Sequence, residues 1–165
     1  MTPIYKLHGA EGQISQPNVL QLFQRGNEFL AQGAYAQAAE QFQSVLAADP
    51  QSAEAHNNLG IALKRQHQLN AAGASFQRAV ALRGNYLDAF VNLGDTLRQL
   101  DRLDDARMCL QAALEIDDQS AAAHNNLGIV LKRQGEHEEA ITCFLRALEL
   151  KPDYAEAAGN LGNVQ

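Results

Sequence analysis

The chain has 165 residues, no Trp, only 4 Pro and a net charge of −6, with a pI near 5.3. Sparse Val and Ile argue against a β-rich fold, and the acidic balance argues against nucleic acid as the main partner, since phosphate binding needs a basic footprint. No apolar run is long enough to span a membrane, and the opening MTPIYKLHGAEGQ lacks the apolar core of a signal peptide, so the expected setting is the cytoplasm, with no membrane partner.

In chain order, residues 1–18 form an N-terminal extension whose apolar residues are Ile4, Tyr5 and Leu7. From Val19 the sequence repeats. Gly26, Gly60, Gly94, Gly128 and Gly162 recur every 34 residues without an insertion, as do Ala38, Ala72, Ala106 and Ala140. Phe42, Phe76, Leu110 and Phe144 follow at the same interval. Units therefore cover 19–52, 53–86, 87–120 and 121–154, and 155–165 begin a fifth. The break inside that fifth unit suggests a piece of a longer protein.

Each unit predicts two helices. In the second, His56, Leu59, Gly60 and Leu63 make the i, i+3, i+4, i+7 stripe of one helix over about 53–66. A second helix over about 69–82 turns Ala72, Phe76, Ala79 and Val80 inward. Pro50 and Pro152 mark the stops between units; Gly84 and Asp118 stand at the same place in the others. Gly60 and Ala72 let two backbones approach, and a Phe fills the gap. One such pair cannot bury its apolar face alone, so stacking into an all-α solenoid is expected.

The period and its fixed residues, Asn126-Leu127-Gly128, Leu131, Ala140, Phe144, Ala147 and Pro152 in the fourth unit, resemble the tetratricopeptide repeat over residues 19–165. That resemblance implies a right-handed superhelical solenoid whose first helices line a concave groove. The departures are local: His56, Phe90 and His124 replace the family's early aromatic, His67 and Asp101 replace its mid-unit Gly, and Arg25 replaces a Leu, as in an end cap.

Several features point to no chemistry. His137 in HEEA has no second His for a zinc helix. Cys109 and Cys143 occupy equivalent places on stacked helices, roughly 10 Å apart, too far for a disulfide. His56 and His124 lie on the packing stripe. No nucleophile–base–acid set is visible, so the chain is expected to be no enzyme and to need no metal or cofactor.

What remains is the other face of each first helix. It carries Asn57, Asn58, Ile61, Lys64 and Arg65 in the second unit, Asn92, Asp95 and Arg98 in the third, and Asn125, Asn126, Ile129, Lys132 and Arg133 in the fourth. Asn58, Asn92, Asn126 and Asn160 form one column, with Gln24 at its head. An Asn side chain both donates and accepts, so a row of them can hold a peptide backbone without reading its side chains, or bond the adjacent repeat. The column is similar to the asparagine ladder in the superhelical arm of O-linked N-acetylglucosamine transferases. A carboxylate clamp for chaperone tails fits less well: Asn27 and Asn58 match its asparagines, but Phe23, Asp88 and Asn92 replace its cations. The cations of this face, against acids on second helices and turns, predict a basic rim favouring a peptide with acidic side chains.

Three functions stay open: a scaffold for an extended peptide, the substrate-recruiting arm of a larger glycosyltransferase or methyltransferase, and self-association through the open ends or the N-terminal extension. One pattern sharpens the groove. AHNNLGIALKRQ (55–66) and AHNNLGIVLKRQ (123–134) agree at eleven of twelve places, whereas 67–86 and 135–154 agree at only six of twenty. Units two and four thus share a face that unit three lacks.

Overall fold

A computed structural model describes residues 18–164. They fold into α1 (Val19–Ala31), α2 (Tyr35–Ala48), α3 (Ala53–Arg65), α4 (Leu69–Leu82), α5 (Leu87–Gln99), α6 (Leu103–Ile116), α7 (Ala121–Gln134), α8 (His137–Leu150) and α9 (Ala155–Gly162), with no strand among the described residues. The extension with Ile4, Tyr5 and Leu7, and the last residue, Gln165, lie outside them.

Local chemistry sets the helix ends. Ser52 and Ser120 cap α3 and α7, each hydroxyl accepting from the N–H three residues on. Inside each unit the chain leaves its first helix through one residue of left-handed backbone: Gly33 (φ 73°), His67 (59°), Asp101 (62°) and Gly135 (85°). Glycine takes this conformation freely; His and Asp are among the side chains that tolerate it.

The two helices of a unit meet at one very close contact. A Cβ built on Gly60 would lie 2.6 Å from the Phe76 ring, and one on Gly128 the same distance from Phe144. Gly26 meets Phe42 and Gly94 meets Leu110 in the same way, at 2.7 and 2.6 Å. The rings and their Ala neighbours Ala38, Ala72, Ala106 and Ala140 are fully buried. Each first helix also packs on the second helix of the preceding unit. This explains why Ala55 and Ala62, outside the expected stripe, are fully buried too.

First helices touch their successors all along the chain, α1 to α3, α3 to α5, α5 to α7 and α7 to α9, while no two second helices touch among the described residues. The row with the closer spacing is the inside of a curve, so α1, α3, α5, α7 and α9 make the concave wall.

His56 and His124 are half buried, and each ring has a tighter role than filling space. His56 Nε2 lies 3.2 Å from the Pro50 carbonyl and His124 Nε2 3.0 Å from that of Asp118. With the proton on Nε2, each imidazole donates to the turn before its own helix. Cys109 and Cys143 are free thiols packed against the core, and burial pushes both above the ordinary thiol value.

Candidate peptide-binding groove

The asparagines of the concave wall divide into bonded and open ones. Asn57 and Asn125 are buried, at 4 % and 0 % exposure; neither is the open lining expected of it. Asn57 Oδ1 accepts from Asn92 Nδ2 at 3.2 Å, and Asn125 Oδ1 accepts from Asn160 Nδ2 at 3.0 Å. Asn58 donates to Asn27 Oδ1 at 2.9 Å and accepts from Asn57 at 3.2 Å. Much of the column therefore bonds the adjacent repeat. Asn126 is different: Val91 stands where its neighbour would need an amide, and it makes no side-chain hydrogen bond among the described residues.

A tyrosine completes each buried pair. Tyr86, before α5, and Tyr154, before α9, stand beside Asn57 and Asn125. Burial raises both phenols; nearby carboxylates, Glu54 and Asp88 for the first and Glu156 for the second, add to this, and the amides partly offset it. The cations before them, Arg83 and Lys151, lie over the rings at 4.8 and 5.1 Å from the centroids. The α3–α5 and α7–α9 junctions are thus built alike and the α5–α7 junction differently, which gives the shared wording of units two and four a structural cause.

The expected basic rim is mostly neutralised inside the chain. Asp95, on α5, pairs with Lys64 of the preceding unit and with Arg98 of its own helix, and accepts from Gln99 Nε2 at 2.9 Å. Burial pushes the Asp95 carboxyl up, but Lys64 and Arg98 outweigh it and hold the group below its ordinary value. Arg133 reaches the Asp101 carboxylate at 2.6 Å and the Arg98 carbonyl at 2.8 Å. Among the described residues, Arg65 and Lys132 pair with no carboxylate. The two LKRQ segments therefore pair opposite members of their Lys-Arg doublet, Lys64 in one and Arg133 in the other.

An open cleft of about 680 Å³ runs along the first three units, lined by Tyr35, Ile61, Lys64, Arg65, His67, Asn92, Asp95 and Gln99. Ile61 and Ile129 rest partly buried on the core. Tyr35 and His67 were not anticipated as lining. Their only cue is position, since both lie where the two helices of a unit join, at the edge of the concave wall. No group of three His, Cys, Asp or Glu among the described residues is placed to hold a metal, and no helix among them is long and apolar enough to cross a membrane.

Stacked helix pairs with a continuous inner wall define a helical-repeat scaffold for protein–protein interaction. The tetratricopeptide repeat profile matches residues 51–119, 85–153 and 119–165, and a second profile of the same repeat matches 26–67. The chain belongs to the tetratricopeptide repeat family. Similar solved structures include MamA, 27% identical with a TM-score of 0.77, covering 84% of this chain and 81% of that one. YrrB, described as a tetratricopeptide repeat protein with an unusual peptide-binding site, is 26% identical with a TM-score of 0.77 over 86% of this chain and 73% of its own. TTC0263, a thermophilic tetratricopeptide repeat protein of Thermus thermophilus, is 24% identical with a TM-score of 0.77, over 89% and 81%. No curated protein matches the chain in sequence.

Proposed function

We propose that the concave wall receives an extended peptide segment of a protein partner and that the chain performs no chemistry on it. The observation that carries this reading is the open cleft crossing three successive units, with aliphatic, amide and charged groups side by side. Such a mixture suits a peptide, which offers backbone amides and side chains in alternation. Asn126, without a side-chain hydrogen bond among the described residues, offers its amide to the backbone. Ile61 and Ile129 offer apolar footholds, and Arg65 and Lys132 offer unspent charge. Asn27, Asn58, Asn92 and Asn160 reach the wall while bonded, and each retains polar capacity. Asn57 and Asn125 act from behind, holding Asn92 and Asn160 in place. Lys64, Asp95, Arg98 and Arg133 form the charged floor between these points.

The likeness to YrrB supports the reading, because that protein is described as having a peptide-binding site. Selection of random displayed peptides against the whole chain tests it. Selected peptides should lose binding to the combined Ile61→Asp, Asn126→Ala variant while its far-ultraviolet circular dichroism is unchanged. Peptides that ignore this variant but lose binding to Met108→Glu or Leu145→Glu, on exposed positions of second helices, would place the contact on the outer face and reject the groove.

A further inference from the structure

The helices α3 and α7 present nearly the same groove face but different neighbours. On α3, Lys64 is occupied by the carboxylate of Asp95, which lies 31 residues further along the chain. The same step from Lys132 leads to Asn163, a neutral, exposed residue just after α9. Lys132 pairs with no carboxylate among the described residues. The local polar groups differ in the same sense. Asn58 bonds to Asn27 and Asn57, whereas Asn126 makes no side-chain hydrogen bond among the described residues.

The protein thus contains one filled and one unfilled copy of a single arrangement. The filled copy shows what this face takes: a carboxylate set against a lysine, beside an isoleucine and an asparagine. We infer that α7 takes the carboxylate of a bound peptide at Lys132, in the place that Asp95 holds on α3. The inference rests on the groove reading above and specifies its partner: a segment with an acidic side chain, or a chain terminus, lying over α7 and α9. It also assigns a role to the third unit, whose Asp95 closes the first copy of the site and leaves the second copy open to acid.

The chain has four lysines, Lys6, Lys64, Lys132 and Lys151, few enough to resolve by NMR after selective labelling, with Lys132 assigned from Lys132→Gln. The probes are a blocked Ala-Ser-Gly peptide with one central Asp, the same peptide with Asn, and the Asn peptide with a free C-terminal carboxylate. The Asp peptide should shift Lys132 saturably and bind roughly fivefold more tightly than the Asn peptide, the scale of one surface ion pair. If the free terminus acts instead, the carboxylate comes from a chain end; either response supports the inference. Asn163→Asp supplies an internal carboxylate and should abolish the Lys132 response. Asp95→Asn should create a matching response at Lys64. Equal binding of Asp and Asn peptides within the groove would overturn the carboxylate site and leave the groove reading standing. If none of the three peptides bound, the carboxylate site would be overturned, and the groove reading would be decided by the displayed peptides alone. A Lys132 response that survives Asn163→Asp would overturn the equivalence of the two faces.

Discussion

Asn92 Nδ2 donates to Asn57 Oδ1 at 3.2 Å, joining two successive first helices through an amide pair whose acceptor is buried. A polar group in that place is costly to strand. Asn92→Leu should leave Asn57 Oδ1 without its donor and destabilise the array by about 1–3 kcal/mol. The double variant Asn57→Leu, Asn92→Leu should cost less than the two single changes added together. A double-mutant cycle from urea melts measures the difference, and strict additivity would show that the two amides do not cooperate.

The glycine–ring contacts allow a sharper test. Gly60→Ala and Gly128→Ala force a Cβ to within 2.6 Å of a buried Phe, and the overpacking should cost about 1–3 kcal/mol. Gly162 has the same place in its helix but meets nothing within 4 Å. Gly162→Ala should be neutral or slightly stabilising, as Ala is the better helix former. Equal melting shifts for all three would remove ring contact as the reason for the glycine.

Two residues with left-handed backbone should respond differently to glycine. His67→Gly removes a conformational cost of about 1 kcal/mol and should raise stability by that much. Asp101→Gly gains the same relief but loses the ion pair with Arg133, worth up to about 1 kcal/mol at a surface. Its net change should be near zero in low salt and become positive at high salt. A salt series of thermal melts on both variants checks the contrast.

Asp95 predicts an acid dependence. Its carboxyl titrates below the ordinary value of 3.8. A group depressed on folding stabilises fully above its unfolded value, and that stability is lost as pH falls through the folded value. Stability should therefore drop below about pH 4, and Asp95→Asn should flatten part of that drop. Glu54, also depressed through its bond to Arg83, is more exposed and should contribute less. An acid limb unchanged in Asp95→Asn would mean that the pairs with Lys64 and Arg98 do not stabilise the fold.

The fold was open to reading because its determinants are periodic. Gly60 and Phe76 repeat at fixed intervals, and small residues opposite large ones have few packing solutions. The groove was legible only as a face. Helical spacing placed Asn57 beside Asn58, but whether an amide turns to solvent or to the next helix depends on residues in the neighbouring unit, here Asn92 and Tyr86. Charge was misjudged for the same reason. Lys64 looks like part of a basic rim until Asp95 meets it across a unit boundary; the Asp95–Arg98 pair lies within α5 and its i, i+3 spacing could have been read. The bonds between successive first helices join residues more than thirty apart in the chain, as Lys64 and Asp95 are, and the spacing within one helix carries no record of them.

The second helices α2, α4, α6 and α8 each pack on a first helix at either side and, among the described residues, never on one another. In mechanical terms the inner row is a hinge line and the outer row is jointed. Bending the arm opens or closes gaps on its back, while the spacing of the inner helices changes least. A strand laid along the hollow side would meet its footholds at a nearly constant pitch as the arm flexes.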